Sequence, residues 1–353
     1  MVARAPFFPA YNLLANHTMN HSLTEEAKIV SLTGPQPKHH TSDFEPCYLK
    51  LFRSGELEAR VKEAFQRMAD CDLCARYCHV NRLMTTKGAV CRTGERAVVH
   101  SFGPHHGEED VLRGRSGSGT IFFSWCNLRC VFCQNWEISQ KGTGRATAPE
   151  EIAAMMIELQ DQGCHNINLV SPSHVVAQIL AAVNSAAKRG LRLPLVYNTG
   201  GYDSPEALAL LDGVVDIYMP DMKYGDSEIA HKYSHVRNYV EVNQKAVKAM
   251  HRQVGDLTLD ENGLAQRGLL IRHLVLPGSL SGTEKVLAFI SREISRNTYL
   301  NLMNQYYPYH RAGEYPPLDR AITSEEYRAA LALAERFELR RLDRRLGRRS
   351  WNR

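Results

Sequence analysis

Residues 120–135 read TIFFSWCNLRCVFCQN and contain a strand-like segment followed by a tight group of cysteines. The segment Thr120–Trp125 is mostly apolar or β-branched, which predicts a buried strand. Cys126, Cys130 and Cys133 follow at once with C-x3-C-x2-C spacing. Three thiolates on so short a loop can hold three irons of a cubane, whereas most [4Fe–4S] clusters have four cysteine ligands. The loop therefore predicts a cluster whose fourth iron is completed by an exchangeable small molecule.

A structural zinc site is the alternative interpretation of the same three cysteines. Zinc in structural sites has four protein ligands, and Cys164 or a distant histidine would have to supply the fourth. The position of the loop at the end of a predicted strand favours the iron–sulfur interpretation, because polar residues follow several other predicted strands as well.

Downstream of the loop, strand-length apolar segments alternate six times with helical segments. The predicted strands are Thr120–Trp125, Ile167–Val170, Leu195–Tyr197, Val215–Met219, Leu269–Leu276 and Tyr299–Met303. The predicted helices are Pro149–Gln162, His174–Arg189, Ser204–Leu211, Ser227–Lys232 with Tyr239–Arg252, Gly282–Ser295 and Ser324–Glu338. Alternation of this kind predicts a parallel sheet covered by helices. Six units in about 220 residues predict an α/β fold with a partial (β/α)6 TIM-like barrel at 116–320.

Right-handed crossovers place the carboxyl ends of parallel strands at one rim. Polar groups follow the predicted strands at Cys126–Cys133, Ser171–His174, Asn198–Gly201, Asp221–Lys223, Pro277–Gly278 and Gln305–His310. Their convergence predicts an enzyme with its site at this rim. Asp221 and Lys223 are candidate functional groups there, because two ionisable side chains at a strand end are costly to bury. A structural ion pair at the rim is the other interpretation of this pair.

A second cysteine group lies upstream of the barrel and consists of Cys71, Cys74, Cys78 and Cys91. We call it the N-terminal cysteine group. Four cysteines close a tetrahedron, so a structural zinc ion is a natural interpretation. A second iron–sulfur cluster is the competing one, and the spacing does not decide between them.

The segments around the N-terminal cysteine group complete the expected domain plan. A helix predicted at Leu57–Met68 precedes it, and a polar, glycine-rich connection is expected at Gly103–Gly119. We expect a helical, cysteine-rich metal-binding lobe at 46–115 after a poorly ordered leader at 1–45. Residues 321–353 are expected to form a C-terminal helix and a basic tail, and arginines spaced as in this tail are typical of a solvated helical face rather than a nucleic-acid site.

The composition excludes several classes of protein. The 353 residues are 44% hydrophobic and 23% charged, and the mean hydropathy is −0.34. No apolar run reaches the roughly 18–20 residues that a membrane span requires. Seven of the nine cysteines fall in the two metal-like groups, and no secretory signal is apparent. We therefore expect a cytoplasmic protein with thiolate ligands rather than disulfides.

The cysteine loop resembles that of radical SAM enzymes, and the resemblance extends over roughly residues 120–313. Within that superfamily the chain is most similar to pyruvate formate-lyase-activating enzyme and its uncharacterised relatives. The supporting motifs are Gln134-Asn135, Asn198-Thr199-Gly200-Gly201-Tyr202 against D-T-N-G-F, Asp221-Met222-Lys223 against D-x-K, IRHLVLPG at Ile271–Gly278, and Pro308-Tyr309-His310. Two departures are clear. Ser171-Pro172-Ser173-His174 stands where the superfamily has G-G-E, and Asn198 replaces an aspartate.

The resemblance implies a [4Fe–4S] cluster on Cys126, Cys130 and Cys133 that binds S-adenosylmethionine (SAM) and cleaves it to a 5′-deoxyadenosyl radical. It also implies a flavodoxin or ferredoxin as electron donor. The SAM-binding residues that it implies are Asn135, Asn198 and Thr199, with Ser171, Ser173 or His174 in place of the G-G-E contact to the SAM amino group. The residues that it implies for catalysis are Asp221, Lys223 and His310.

Three functions remain open at this point. The first is an activase that installs a glycyl radical on a protein substrate, and the second is direct modification of a small molecule or peptide. The N-terminal cysteine group does not resemble the two-cluster ferredoxin insert of the better-known glycyl-radical activators, which argues against the first. The third is a non-catalytic, metal-stabilised protein that binds nucleic acid through its arginine-rich tail.

Overall fold

A computed structural model of the chain describes residues 44–343. The helices are α1 (Tyr48–Ser54), α2 (Glu56–Arg67), α3 (Asp110–Arg113), α4 (Pro149–Asp161), α5 (Val176–Lys188), α6 (Pro205–Leu211), α7 (Ser227–Ser234), α8 (Tyr239–Val254), α9 (Thr283–Phe289) and α10 (Ser324–Arg336). The strands are β1 (Ala97–His105), β2 (Ser118–Phe123), β3 (Arg145–Thr147), β4 (Ile167–Val170), β5 (Leu195–Thr199), β6 (Ile217–Pro220), β7 (Thr258–Leu259), β8 (Ala265–Leu274) and β9 (Tyr299–Met303). Residues 137–141 and 290–294 form π-helical turns.

Six parallel strands form the centre of the fold in the order β2-β4-β5-β6-β8-β9. At least one helix connects each strand to the next, and α10 follows β9. The mixed α/β fold with a parallel sheet is thus confirmed, and the six predicted strand–helix units are present. The carboxyl ends of all six strands lie on the same side of the sheet, because the strands are parallel.

Antiparallel strands flank the parallel sheet, which corrects the expected connection at Gly103–Gly119. Gly103 and Pro104 belong to β1, which pairs antiparallel with β2 and also with β3. At the other side, β7 pairs antiparallel with β8. The expectation of a loop was wrong because glycine and proline weaken the local strand signal, whereas pairing with two neighbours supplies the backbone hydrogen bonds of β1.

The N-terminal helices pack on the barrel helices in one hydrophobic core. α5 is buried around most of its circumference, and α2 packs against it. The same core contains Tyr48, Leu57 and Met68 from the N-terminal segment and Val176 and Ile179 from α5. The expected boundaries at 46, 116 and 321 remain predictions.

Helix α3 closes the amino-terminal end of the barrel. Val111 and Leu112 pack in a cluster with the strand residues Val196, Met219 and Leu270. These contacts cover the interior ends of β5, β6 and β8 with apolar side chains, so the barrel interior is accessible from the opposite rim.

Just before α3, Glu109 links the two sides of the barrel. Its carboxylate oxygen Oε1 accepts a hydrogen bond of 2.7 Å from the side-chain amide of Asn301 on β9. The segment that follows β1 therefore reaches the last barrel strand.

The two chain ends lie outside the described residues. This applies to nearly all of the expected leader at 1–45 and to the arginine-rich end of the tail at 344–353. Within residues 44–343, no helix is both long enough and apolar enough to cross a bilayer.

Candidate functional site

The three cysteines of the barrel loop follow β2 directly. We call residues 126–133 the barrel cysteine loop. The backbone N–H of Leu128 donates to the Cys126 sulfur at 3.3 Å, and the Ser234 hydroxyl donates to the Cys130 sulfur at 2.9 Å. The Cys133 sulfur lies 3.2 Å from the Ser139 hydroxyl. Each thiol therefore has a polar hydrogen-bonding neighbour that would also stabilise a thiolate.

Two backbone hydrogen bonds fix the loop against the end of α7. Arg129 N–H donates to Ser234 O at 3.2 Å, and Val131 N–H donates to Tyr233 O at 2.9 Å. The Asn127 side chain adds a bond of 2.7 Å to Tyr202 O. These contacts explain how a loop without helix or strand geometry can hold its three sulfurs in a fixed arrangement.

Burial favours the protonated thiol at two cysteines of this loop, Cys126 and Cys130. Burial raises the pKa of Cys126, and it raises the pKa of Cys130 to about 12, although Lys223 opposes that change. Iron ligation requires thiolates, so binding must release these protons.

A cavity of about 390 Å³ opens beside the loop, and residues from several strand ends line it. Nine of the residues predicted to bind metal or SAM or to act in catalysis are in its wall: Cys126, Cys130, Cys133, Asn135, Ser171, Asn198, Thr199, Asp221 and Lys223. The strands thus bring together groups that are nearly one hundred positions apart in the chain. Leu128, Phe132, Leu274 and Met303 add apolar wall, which limits the water inside.

Asp221, Lys223 and Arg272 form a buried charge cluster in the cavity wall. The Lys223 ammonium lies 2.5 Å from one Asp221 oxygen, and the Arg272 guanidinium lies 2.9 Å from the other. Burial alone would raise the pKa of Asp221, but Arg272 and Lys223 outweigh it and hold that pKa below its usual value. The aspartate is therefore ionised and carries two cations.

Arg272 also orients Asn198. Its Nη2 donates to Asn198 Oδ1 at 2.7 Å, so the Asn198 NH2 group is turned away from the guanidinium. Arg272 was not predicted from the sequence, because this residue lies inside β8 rather than after a strand. An arginine within the apolar run IRHLV was the available signal.

The turn after β5 needs glycine at one position. Gly201 has a φ of +73°, and a Cβ there would collide with the Asp221 carbonyl oxygen and the Asn243 amide. Only glycine allows the two strand ends to approach so closely. This approach brings Asn198 and Asp221 to the same wall.

Ser173 and His174 lie away from the cavity, unlike Ser171. Ser171 has a left-handed backbone, with φ +60°, and the chain then turns inward. The Ser173 hydroxyl lies 2.8 Å from that of Thr199, and the Thr199 hydroxyl donates to Asp203 at 2.6 Å. Thr199 lines the cavity, but its hydroxyl is thus engaged in a buried network.

His174 is buried and neutral. Burial lowers its pKa to about 3. Its Nε2 lies 3.0 Å from the backbone oxygen of Ser124, and it must carry the proton there because a carbonyl oxygen can only accept. The geometry gives His174 a structural contact and does not bring it to SAM's expected position.

His310 lies outside the cavity, on the rim. Its ring stacks on Trp136 with centroids 4.8 Å apart, and the residue is exposed. The Gln134 side chain donates to Gln305 O at 3.1 Å, which joins the segment after the cysteines to the loop after β9. His310 is therefore placed to affect entry to the site rather than to touch its interior.

Glu108 and Glu109 contribute carboxylates to the cavity that sequence reasoning missed. Both are buried, and the Glu108 carboxylate lies 3.3 Å from His105 Nδ1. Burial alone would raise the pKa of Glu108, but His105 and Arg272 hold it below its usual value. The cavity therefore carries acidic groups at the α3 side and the Asp221 cluster at the β6 and β8 side.

The donor chemistry of the barrel cysteine loop fits a [4Fe–4S] cluster. It offers three thiols, each with a polar neighbour, on a cavity large enough for a small-molecule ligand. Among residues 44–343, no three His, Cys, Asp or Glu side chains converge as they would around a single metal ion. A cubane places its cysteine ligands on separate irons, so a triplet that serves one need not converge on a point.

These features define a class of protein: a parallel α/β barrel with three cysteines directly after its first parallel strand, beside a cavity that can hold a small molecule. A family model described as the radical SAM superfamily matches residues 120–260. The uncharacterized protein MJ0674 of Methanocaldococcus jannaschii is 35% identical over 301 residues, which is 82% of each chain. The chain belongs to the radical SAM superfamily, whose members bind a [4Fe–4S] cluster and SAM.

Solved structures of several radical SAM enzymes resemble the chain at low identity. TYW1 with a lysine-pyruvate adduct has a TM-score of 0.38 at 12% identity, covering 62% of this chain and 72% of its own. Streptococcus suis SuiB bound to the precursor peptide SuiA has 0.39 at 12%, covering 55% and 42%. The methyltransferase TsrM from Kitasatospora setae, with cobalamin and a [4Fe–4S] cluster, has 0.39 at 16%, covering 53% and 36%.

Proposed function

We propose that this chain binds its [4Fe–4S] cluster on Cys126, Cys130 and Cys133, binds SAM beside it, and abstracts hydrogen from a substrate in the same cavity. The observation that supports this most directly is the convergence of the cysteine loop with the ends of the five other parallel strands on one cavity. When bound, the cluster and SAM supply the reductive cleavage that gives methionine and a 5′-deoxyadenosyl radical.

The residues of the chain bind and orient the reactants. Asp221 and the cations Lys223 and Arg272 form a fixed charge array that can hold the charged end of a ligand, and the Asn198 amide is locked by Arg272. The apolar wall, including Phe132, keeps the cavity dry, which protects reactive species from side reactions. Lys223, at the cavity wall, is placed to attract a carboxylate.

The direct test is formation of 5′-deoxyadenosine. Anaerobically reconstituted protein, mixed with dithionite and SAM, is expected to produce 5′-deoxyadenosine and methionine in equal amounts. Cys130→Ala is the matched inactive variant, since it removes one iron ligand and leaves the Asp221 cluster intact. Absence of 5′-deoxyadenosine from a preparation whose cluster is verified by its absorbance would contradict the proposal.

We propose further that the substrate is a polypeptide, of which a glycyl-radical-forming protein is one candidate. The rim next to the cavity presents Tyr307 and Tyr309, which are 58% and 46% exposed, together with the stacked pair His310 and Trp136. Exposed aromatic side chains grouped at an opening are typical of protein-binding surfaces. A small polar molecule or short peptide that uses only the charged interior is the alternative.

Fractionated cell extract distinguishes these substrates. A polypeptide substrate predicts that the macromolecular fraction raises the rate of 5′-deoxyadenosine formation above the uncoupled rate, and that protease digestion removes the effect. Stimulation by the small-molecule fraction alone would contradict the polypeptide proposal. All nine cysteines are free, which favours a reducing cytoplasm and a flavodoxin or ferredoxin as the physiological donor.

A further inference from the structure

Backbone hydrogen bonds close the loop that carries the first three cysteines of the N-terminal cysteine group. Cys71 N–H donates to Val80 O at 3.3 Å, and Cys71 O accepts from His79 N–H at 3.2 Å. The backbone is left-handed at Tyr77, His79 and Arg92, each of which adjoins a cysteine of the group. Non-glycine residues seldom adopt this conformation, and those that do concentrate at ligand-binding sites. The loop is therefore shaped around its cysteines.

A buried arginine lies inside this group. Arg82 is only 3% exposed, and its Nη1 donates to the Cys71 sulfur at 3.4 Å. Its Nε and Nη2 donate to the backbone oxygens of Thr93 and His174 at 2.7 and 2.8 Å. In the described part of the chain, no carboxylate forms an ion pair with it. A buried cation needs a nearby negative charge, and metal-bound thiolates would supply one.

Two reciprocal hydrogen bonds join the group to the barrel cysteine loop. Arg76, between Cys74 and Cys78, donates through Nε to Asn127 O at 2.6 Å. Arg129, between Cys126 and Cys130, donates through Nη2 to Val90 O, next to Cys91. Each cysteine segment therefore sends one arginine into the backbone of the other.

Two further contacts run between the same segments. His174, which accepts from Arg82 through its backbone oxygen, bonds through its ring to Ser124 O at the end of β2. Arg92 lies over the ring of Trp125 at 5.1 Å. Trp125 immediately precedes Cys126, and Arg92 immediately follows Cys91. This contact therefore joins the residue after Cys91 to the residue before Cys126.

The contacts with the barrel cysteine loop favour one of the two metals that the spacing left open. Zinc has no redox chemistry and would serve here only as a structural ion. An iron–sulfur cluster can carry electrons, and the hydrogen bonds of Arg76 and Arg129 hold the group against the loop whose cluster must be reduced. Four cysteines also suffice to ligate such a cluster.

We infer that the N-terminal cysteine group holds a second iron–sulfur cluster, which Arg76 and Arg129 hold against the loop of the SAM-binding cluster. The inference goes beyond the proposed function and rests on it only for the identity of the neighbouring centre. Because this second cluster would have four cysteine ligands, none of its irons would be free to bind SAM.

Metal content tests the inference on the wild-type protein alone. Anaerobic reconstitution with iron, sulfide and zinc all present is expected to give about eight irons per chain and no stoichiometric zinc. About four irons together with one zinc per chain would overturn the inference. This measurement uses only the wild-type protein, so a variant that fails to fold cannot affect the choice between iron and zinc.

Variants assign the two clusters to their ligands. Cys71→Ala/Cys74→Ala and Cys130→Ala are each expected to lose about half of the iron. Cys164→Ala is the matched control, because Cys164 is buried but belongs to neither group, and it should retain all of the iron. Full iron in the Cys71→Ala/Cys74→Ala protein would overturn the assignment.

Electron paramagnetic resonance tests the contact between the centres. In dithionite-reduced wild-type protein, we expect broadening from spin–spin interaction that disappears in Cys71→Ala/Cys74→Ala. Addition of SAM should shift only the signal that Cys130→Ala removes. Unbroadened, independent signals would overturn the proposed proximity.

The two proposals fail separately. Eight irons without 5′-deoxyadenosine would contradict the proposed function and leave this inference intact. Four irons and one zinc with 5′-deoxyadenosine would do the reverse.

Discussion

The barrel cysteine loop and the N-terminal cysteine group use the same ligand type in opposite ways. The first has three cysteines, follows a barrel strand and faces a cavity of about 390 Å³. The second has four cysteines, encloses the buried Arg82 and contributes nothing to that cavity wall. A centre can bind an exchangeable ligand only where the protein leaves one position open and a space beside it. The count of cysteines and their place relative to the strand ends therefore separate a reactive centre from a closed one.

The two regions also differ in how their buried cations are neutralised. Beside the barrel loop, Lys223 and Arg272 share the carboxylate of Asp221. In the N-terminal group, the hydrogen bonds of Arg82 go to backbone oxygens and to a cysteine sulfur. In the barrel site a carboxylate thus accompanies the buried cations without metal, whereas in the N-terminal group the proposed metal-bound thiolates would supply the negative charge.

Removing one ligand from each group should break this comparison most clearly. Cys133 and Cys78 are a matched pair, because both are partly buried. Cys133→Ala is expected to reduce 5′-deoxyadenosine formation to the background without protein, since Cys133 is a proposed iron ligand of the SAM-binding cluster. Cys78→Ala should reduce it by about 10- to 100-fold, the effect of losing a supporting contact. Equal losses in the two variants would show that the groups are not functionally distinct.

Most of the central fold could be predicted from sequence because buried parallel strands are short and continuously apolar. The predicted bounds Ile167–Val170 and Tyr299–Met303 match β4 and β9. β1 was missed, because its polar residues and Gly103-Pro104 carry no local strand signal and its order comes from pairing with β2 and β3. Nonlocal pairing of this kind is not encoded in any short window.

The site was predicted where its residues follow strands and missed where they do not. Asp221 and Lys223 come directly after β6, so their position at the rim followed from the topology. Arg272 lies within β8, and Glu109 reaches Asn301 across 192 positions of chain. His174 was placed by its position in a motif, but the left-handed turn at Ser171 directs it away from the cavity.

The next largest effect is expected for Asp221→Asn, which tests the charge cluster beside the barrel cysteine loop. The substitution leaves Lys223 and Arg272 buried without their shared anion, and we expect the free energy of unfolding to fall by about 3–5 kcal/mol. Urea unfolding measures this change. Asp161→Asn, at the exposed end of α4, is the control and should change it by about 0.5 kcal/mol or less. Equal changes in the free energy of unfolding for the two variants would contradict a stabilising role for Asp221 in the charge cluster.

The pH dependence of stability provides a second measure of Asp221. Its pKa in the folded protein lies below the usual value of 3.8, so the unfolded chain takes up this proton first as the pH falls. The stabilisation is therefore present above pH 3.8 and is lost as the pH falls through the folded-state pKa. The unfolding free energy of the wild type should decrease over this acidic range, and Asp221→Asn should show a shallower decrease. Parallel profiles would exclude Asp221 as the source.

Arg82→Met sharpens the comparison at the N-terminal group. If metal-bound thiolates neutralise Arg82, removing it should destabilise the metal-loaded protein by about 1.5–3 kcal/mol, the value of a hydrogen bond to a charged group. The metal-free protein should lose less, because neutral thiols offer the cation little. Unfolding measured with and without a chelator tests the difference, with the exposed Arg115→Met as control. Equal losses in both states would mean that Arg82 is held by backbone oxygens alone.

The smallest expected effect concerns the contact of Arg92 with Trp125. Arg92 is exposed, and cation–π contacts at exposed sites contribute about 0.5–1 kcal/mol. A double-mutant cycle of Arg92→Gln and Trp125→Phe should give a coupling energy in that range, measured by denaturant unfolding. Strictly additive losses would mean that the ring and the guanidinium do not interact. The two cysteine segments would then be joined only by the contacts of Arg76, Arg129 and His174 among those described above, and Trp125 would not stabilise their association.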